Sequence, residues 1–216
     1  MRRSLRRGRK PAPTFREEIA LFSQGYSLVV GLDEVGRGPL AGPVVAAAVI
    51  LGQRPKGTWV GLIRDSKQMT PVQRERVFPY LLDAAVALEL GACSSGEVDA
   101  LGIVAATRLA MKRAIDSLRP VPQFLLLDAI YLPDVPIPQK AIIRGDAQVL
   151  SIAAASIAAK VTRDKMMEEA DQRYPGYGFA RHKGYGTAEH MGNLERLGPC
   201  EIHRSSFAPI KHLIGA

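Results

Sequence analysis

A chain of 216 residues suffices for one domain with a sizeable core, or for a domain with a modest appendage. Its formal charge of +8 is gathered at the start, because residues 1–16 carry Arg2, Arg3, Arg6, Arg7, Arg9, Lys10 and Arg16 and no acid, while the rest is nearly neutral. That distribution excludes a uniformly basic body, so any surface for nucleic acid must be a segregated face. Residues 1–16 read as a disordered basic tail, either weakly attracted to phosphates or an accident of the start site. The tail lacks the apolar stretch of a secretory signal, and Pro11 and Pro13 oppose a helical presequence. The longest apolar run, Val44 to Leu51, is too short to span a bilayer, so no membrane association is expected. Cys93 and Cys200 lie far apart and match no metal spacing, which fits a reduced cytoplasmic protein.

Strands and helices alternate along the body. Leu28 to Asp33 and Val44 to Leu51 read as neighbouring strands joined by the turn Gly36-Arg37-Gly38-Pro39. Thr70-Pro71 starts a helix with Val77, Tyr80, Leu81 and Ala84 on its apolar face. Val86 to Cys93 is a third strand, and Ser94 or Ser95 caps the helix after it, with Glu97 and Asp99 at its positive end. That helix carries apolar residues at 98, 101, 105, 109, 115 and 118 and stops before Pro120. Phe124 to Leu127 reads as a strand buried on both faces and terminated by Asp128. After a proline-rich loop, Tyr131 to Pro138, a strand at Ala141 to Ile143 precedes Arg144-Gly145-Asp146. An alanine-rich helix over 149–171 follows. From Tyr174 the chain turns rich in glycine and aromatic residues and holds all four histidines, at 182, 190, 203 and 212, with one short helix from Thr187 to Leu197. The expectation is an α/β domain over 17–172 with a C-terminal helical lobe over 173–216.

In that reading three strands end in acids, namely Asp33-Glu34, Asp128 and Asp146. Strand ends of an open α/β sheet commonly line one ligand crevice. Each acid also has a local use, since an Asp-Glu pair before glycine ends a strand, Asp128 could open a turn and Asp146 could cap a helix. Four converging carboxylates repel one another unless cations neutralise them, which suits hard, oxygen-seeking Mg²⁺ and a two-metal phosphoryl site. Strand neighbours point to opposite faces, so Asp33 and Glu34 share a site only if the strand bends or ends between them. A dinucleotide-binding loop fits worse, because Gly36, Gly38 and Gly42 are spaced one step too wide and a strand follows where a helix should start.

The segments GLDEVGRGPLAGPVVAAAVIL (31–51), DSKQMT (65–70), LLLDA (125–129), RGDAQ (144–148), SIAAASIAAKVTRD (151–164), YGFARHKGYGT (177–187) and IHRSSFAPI (202–210) together resemble bacterial type 2 ribonuclease H, ribonuclease HII, in the family's order. The resemblance spans about residues 27–212. It implies an RNase H-like α/β fold, with a mixed central sheet flanked by helices and a small C-terminal helical lobe. It also implies hydrolysis of RNA in RNA–DNA hybrids and nicking of duplex DNA on the 5′ side of an embedded ribonucleotide, with Mg²⁺ or Mn²⁺. By motif, Asp33, Glu34, Asp128 and Asp146 take the places of the metal-binding carboxylates. Gly36, Arg37 and Gly38 take the place of the segment that senses the ribose 2′-OH, and Tyr185 that of the tyrosine packing at the RNA–DNA junction. A 2′-OH is the group that marks a ribonucleotide in duplex DNA, and sensing it with backbone demands the close approach that glycines permit. Two departures stand out: the family usually has Asp-Gly at Asp128-Ala129, and often Lys-Leu-Ser at Gln68-Met69-Thr70.

Lys67, Ser156, Lys160, Arg163, Arg181 and Lys183 are candidate phosphate contacts. Ser156 and Lys160 share a helix face, but Lys160 also stands four before Asp164, in position for an intrahelical ion pair. Arg181 and Lys183, among Phe179, His182 and Tyr185, make the better nucleic-acid signature. Hard-cation chemistry does not need the histidines, and His190 and His203 are expected to support C-terminal packing. The chain is therefore expected to act as a monomeric endoribonuclease. Two alternatives share some of these residues: a DNA nuclease or strand-transfer enzyme on the same fold, and a non-enzymatic nucleic-acid-binding protein.

Overall fold

The computed structural model describes residues 12–53, 55–64 and 66–214. In chain order its elements are α1 (Arg16–Ser23), β1 (Val29–Val35), β2 (Val44–Leu51), α2 (Pro71–Ala84), β3 (Ala85–Cys93), α3 (Ser95–Leu101), α4 (Ile103–Ser117), β4 (Phe124–Asp128), β5 (Gln139–Ile142), α5 (Leu150–Arg173), α6 (Phe179–His182), α7 (Ala188–Leu197) and α8 (Ile210–Ile214). The sheet runs β3-β2-β1-β4-β5. β1, β2 and β3 are antiparallel neighbours, whereas β4 lies parallel to β1 and β5 parallel to β4.

Every residue of β2 is buried, because helices cover both faces of the sheet. On one face Ala46, Ala48 and Ile50 join Val30, Leu32, Leu125 and Leu127 against Ala106, Ala110, Met111 and Ala114 of α4. On the other, Ala47, Val49 and Leu51 meet α2 and the small residues Ala153 to Ala159 of α5. A helix that is apolar all round is a buried one, and the first half of α5 is buried on every side. Its approach to β1 is close enough that a Cβ on Gly31 would stand 2.2 Å from the Ser151 carbonyl carbon. A side chain there would push the helix off the sheet.

Several expectations shift. The helix after β3 is two helices, broken at Gly102, whose φ of 78° leaves the right-handed region. The break rotates the buried face to Ala106, Ala110, Met111, Ala114 and Ile115, and exposes Leu101. Thr70 caps α2 through a capping box with Gln73, and Val77 and Leu81 are buried as the periodicity requires, but Tyr80 is exposed. β5 runs over Gln139–Ile142 and leaves Ile143 in solvent, so Asp146 lies not at a strand end but in the 3₁₀ turn Gly145–Ala147. Of the expected tail, residues 1–11 lie outside the described residues. Thr14 bridges Val149 alongside, so the end of that segment is tied to the start of α5.

Past α5 the chain folds around a core of Tyr177, Phe179, Leu194 and Ile210, packed on Leu40, Ala41 and Met167. The C-terminal segment therefore holds the loop between β1 and β2 as well as itself. No helix among the described residues is long and apolar enough to cross a membrane.

Candidate active site

Side-chain alternation puts Asp33 on the α5 face of β1, and Asp128, on the parallel neighbour β4, shares that face. The 3₁₀ turn leading into α5 brings Asp146 to the same place. One carboxylate oxygen from each of Asp33, Asp128 and Asp146 lies within 4.8 Å of the others. β1 continues through Val35 without ending between Asp33 and Glu34, so Glu34 points to the opposite face and stands beside this trio rather than in it. Its charge still acts on Asp33, and Asp128 acts on both.

The backbone helps to fix these groups. Glu34 N–H donates to Asp33 Oδ1 (2.8 Å), and Gly145 N–H donates to Asp128 Oδ1 (2.8 Å). Burial, and then the neighbouring charge of Glu34, hold the Asp33 carboxyl well above the usual carboxylate range. Burial also raises Glu34, against the pull of Arg37, and Glu34 Oε2 is buried with no hydrogen-bond partner. An all-oxygen set of repelling, partly dehydrated carboxylates with an orphaned oxygen fits a hard divalent cation such as Mg²⁺ or Mn²⁺.

Asp128 is followed by Ala129 at φ 58°, in a tight turn closed by Ile130 N–H donating to the Asp128 carbonyl (2.7 Å). A Cβ disfavours this conformation. Ala129 thus keeps a turn suited to glycine, at a cost in stability. Ala129→Gly is expected to stabilise the protein by about 1 kcal/mol, measured by chemical denaturation with the cleavage rate followed alongside.

The candidate phosphate contacts divide. Lys67 is largely exposed and its Nζ lies 3.2 Å from Asp146 Oδ2, at the rim of the carboxylates. Ser156 is only 4% exposed; its hydroxyl lies 2.7 Å from Ser66 Oγ and helps to offset the burial of the Asp33 carboxylate, so it braces the site from behind. Lys160 makes the ion pair with Asp164 (2.5 Å) that its spacing allowed, and Arg74 reaches the same carboxylate (3.5 Å). Arg181 is paired with Glu189, and Lys183 with Glu168 (2.6 Å), so each carries its own counter-charge.

Arg163 is not a surface group at all. It is fully buried and donates to the carbonyls of Pro43 (2.8 Å), Ala41 (3.0 Å) and Lys183 (3.0 Å). Arg204, which sequence reasoning passed over, is equally buried. Its guanidinium donates to the carbonyls of Gly36 (2.5 Å), Arg37 (3.0 Å), Pro39 (2.8 Å) and Gly42 (2.8 and 3.1 Å). Together the two arginines hold the glycine-rich loop from below, and Gly36, at φ 91°, has no room for a Cβ against Arg163 Nε. Leu40 N–H donates to the Gly184 carbonyl (2.8 Å), which places half-exposed Tyr185 over the loop, with its Cε1 3.8 Å from where a Cβ on Gly38 would sit. Arg37 itself reaches back to Glu34 Oε1 (3.3 Å).

The histidines do support the packing. His190 and His203 are buried and face each other, Nε2 to Nε2, at 3.0 Å. Among the described residues no metal-ligand cluster includes them. Burial pushes His203 down to about 4 and lowers His190 as well. An unfolded histidine takes up its proton near pH 6.5, so the folded state loses stability as pH falls from there towards about 4. The thermal unfolding midpoint is expected to drop between pH 7 and pH 5, and to drop less in His203→Gln.

Comparison with known proteins agrees with the architecture. The sequence pattern of the family "Ribonuclease HII" matches residues 30–210. The ribonuclease HII of Dehalococcoides mccartyi is 51% identical over 201 residues, covering 93% of this chain and 95% of that protein. That of Enterococcus faecalis is 52% identical over 197 residues, covering 91% and 76%. The crystal structure of ribonuclease H2 from Pyrococcus horikoshii OT3 superposes with a TM-score of 0.72 at 27% identity, over 86% of this chain and 96% of that one. The RNase H-like α/β fold is thus the one this sheet and its helices form. Sharing half its residues with such relatives over nine-tenths of its length, the chain belongs to the ribonuclease HII family and is a hydrolase of the ribonuclease H type.

Proposed function

We propose that the protein is an endoribonuclease that hydrolyses RNA in RNA–DNA hybrids and nicks duplex DNA on the 5′ side of an embedded ribonucleotide. Its task would be the removal of ribonucleotides from DNA, as a monomer in the cytoplasm. One observation carries this reading: a carboxylate trio opens beside a glycine-rich loop whose other edge is covered by Tyr185. Asp33, Asp128 and Asp146, with Glu34 alongside, would hold two divalent ions, Mg²⁺ or Mn²⁺. Such ions supply an activated water and stabilise the departing oxygen, giving 3′-hydroxyl and 5′-phosphate ends.

The chain's own groups supply position and selectivity. The carbonyls of Gly36 and Arg37 are committed to Arg204, so the backbone of Gly36-Arg37-Gly38 meets a ribose with its amides. Without side chains at 36 and 38, a sugar can come within hydrogen-bonding distance of that backbone. Tyr185 has an exposed ring to stack on the sugar or base next to the cut. Lys67 and Arg37 present positive charge at the rim, where a phosphate would sit between them and the acids. Arg181 and Lys183, already paired, contribute less to binding than their positions in the sequence suggest.

The test is a labelled DNA duplex with one ribonucleotide beside its all-deoxy counterpart, in Mg²⁺, Mn²⁺ and EDTA. One metal-dependent nick 5′ of the ribonucleotide, absent from the all-deoxy duplex, is the expected result. Equal cutting of both duplexes would make the protein a general nuclease. A 2′,3′-cyclic phosphate end would show attack by the neighbouring 2′-OH and overturn the metal mechanism.

A further inference from the structure

The buried histidines do more than fill space, because hydrogen-bond bookkeeping fixes where their protons are. Cys200 N–H, which can only donate, points at His203 Nδ1 (2.9 Å), closer than the Cys200 carbonyl (3.2 Å) that a proton on this nitrogen would need. His203 Nε2 then carries its ring proton and donates to His190 Nε2 (3.0 Å). His190 must therefore hold its proton on Nδ1, which lies 2.9 Å from the Tyr185 carbonyl, a group that can only accept. The result is a one-way chain from the Cys200 amide to the backbone of Tyr185, through two neutral rings.

Both ends of the chain lie at the proposed recognition surface. His203 bridges Ala41 of the glycine-rich loop through its backbone, and Arg204 N–H beside it donates to the Leu40 carbonyl (2.8 Å). At the other end, the carbonyl held by His190 belongs to the residue whose ring lies over Gly38. We propose that His190 and His203 are positioning residues for ribonucleotide recognition, setting the height of Tyr185 over Gly36-Arg37-Gly38 through this directed pair. The proposal rests on the reading of Tyr185 as the residue that meets the substrate.

An extra proton breaks the direction of the chain. Protonating His190 sets two N–H groups face to face at 3.0 Å, whereas a proton on His203 Nδ1 faces the Cys200 amide and can turn only to the Cys200 carbonyl at 3.2 Å. The surroundings give little relief. His182 stacks on His190 at 4.3 Å, and Tyr177 and Phe179 close on His203. Cys200 Sγ lies 3.1 Å from His203 Nδ1. The carboxylate next to His190 in the chain, Glu189, is engaged by Arg181, and Arg204, next to His203, is a second positive charge. Burial lowers both rings, so they stay neutral and the directed chain persists from neutral pH into mild acid.

Steady-state cleavage of the single-ribonucleotide duplex by the full chain tests this. His190→Ala is expected to raise KM about tenfold, the scale of one buried hydrogen bond, with kcat nearly unchanged. His190→Asn, which can return an N–H close to the Nδ1 position, should restore most of the loss. The double variant Tyr185→Ala/His190→Ala should be no worse than Tyr185→Ala alone, because a residue acting through Tyr185 has nothing left to act on. If Tyr185→Ala leaves KM unchanged, the reading of Tyr185 fails. If Tyr185→Ala raises KM but the two losses add in the double variant, or His190→Asn fails to rescue, the histidines only support the fold and the proposal is overturned. Should His190→Ala not fold, His203→Phe, which keeps a ring but cannot donate to His190, takes its place, and an unchanged KM in that variant overturns the proposal.

Discussion

Asp33→Asn is expected to move two readouts in opposite directions: strand cleavage falls about a thousandfold, and the unfolding midpoint in EDTA rises. The fall follows if Asp33 helps to hold a cation that contributes several kcal/mol to the reaction, at 1.36 kcal/mol per power of ten. The rise follows from the state of the site without cations. Asp33 is 4% exposed, and burial together with Glu34 raises its carboxyl well above the ordinary value of 3.8. Above pH 3.8 an unfolded Asp33 ionises while the folded one resists, so the folded state is penalised progressively until pH passes the raised value. Asparagine keeps the shape and carries no charge, and each kcal/mol it relieves raises the midpoint by about 2–4 °C at this size. Adding Mg²⁺ should then stabilise the wild type more than the variant, because a ligand stabilises only the state that binds it. A variant that still cut at the normal rate would remove Asp33 from the chemistry. A midpoint that fell in EDTA would show that the bond from Glu34 N–H and the favourable influence of Ser156 outweigh the repulsion.

How much of this was legible in the sequence depended on whether the signal was local. β2 was read to the residue, since an unbroken apolar run between glycines has one reading once helices are expected on both faces. The opposite orientations of Asp33 and Glu34 were legible from the two-residue period alone, and the structure keeps them. Gly102 gives no local signal of a break, because apolar residues continue on either side of it. Only its positive φ shows that the stripe belongs to two helices. The sequence places Asp146 at a strand end because Ala141 to Ile143 looks like a strand. The chain instead leaves the sheet at Ile142 and carries the acid on a turn. The carboxylates still converge, because the turn leads directly into α5 and α5 lies against β1 through Gly31.

The arginines were the least legible residues, for a physical reason. Composition assigns a basic side chain to the surface, where it meets water or phosphate. Nothing adjacent in sequence distinguishes Arg181, which is exposed, from Arg163 and Arg204, which are not. What separates them is the set of carbonyls turned inward by the loop of residues 36–43, and that set exists only once the C-terminal segment has folded back on it. Charge patterning could therefore suggest a basic face, but not that part of the positive charge lies beneath the glycine-rich loop.

Arg204→Lys is expected to cost about 2–4 kcal/mol of stability, because it keeps the charge and loses the geometry. The planar guanidinium reaches four carbonyls at once, whereas an ammonium on a flexible stem reaches fewer and leaves the others buried without donors, each at about 1 kcal/mol or more. Burial lowers the Arg204 guanidinium to about 10, so it stays charged at neutral pH and lysine changes only the shape. Arg181→Ala, which breaks an exposed ion pair with Glu189, should change stability by no more than about 0.5 kcal/mol in the same denaturation experiment. The contrast also separates two ways of losing substrate. If the loop is held from below as the geometry requires, Arg204→Lys should raise KM for the single-ribonucleotide duplex even under conditions where the variant is fully folded. Loss of a surface cation such as Arg181 should instead change mainly the salt dependence of binding. Equal small effects from both substitutions would mean that the Gly36-Arg37-Gly38 backbone keeps its shape without Arg204, and that β1, β2 and Arg163 suffice to hold it.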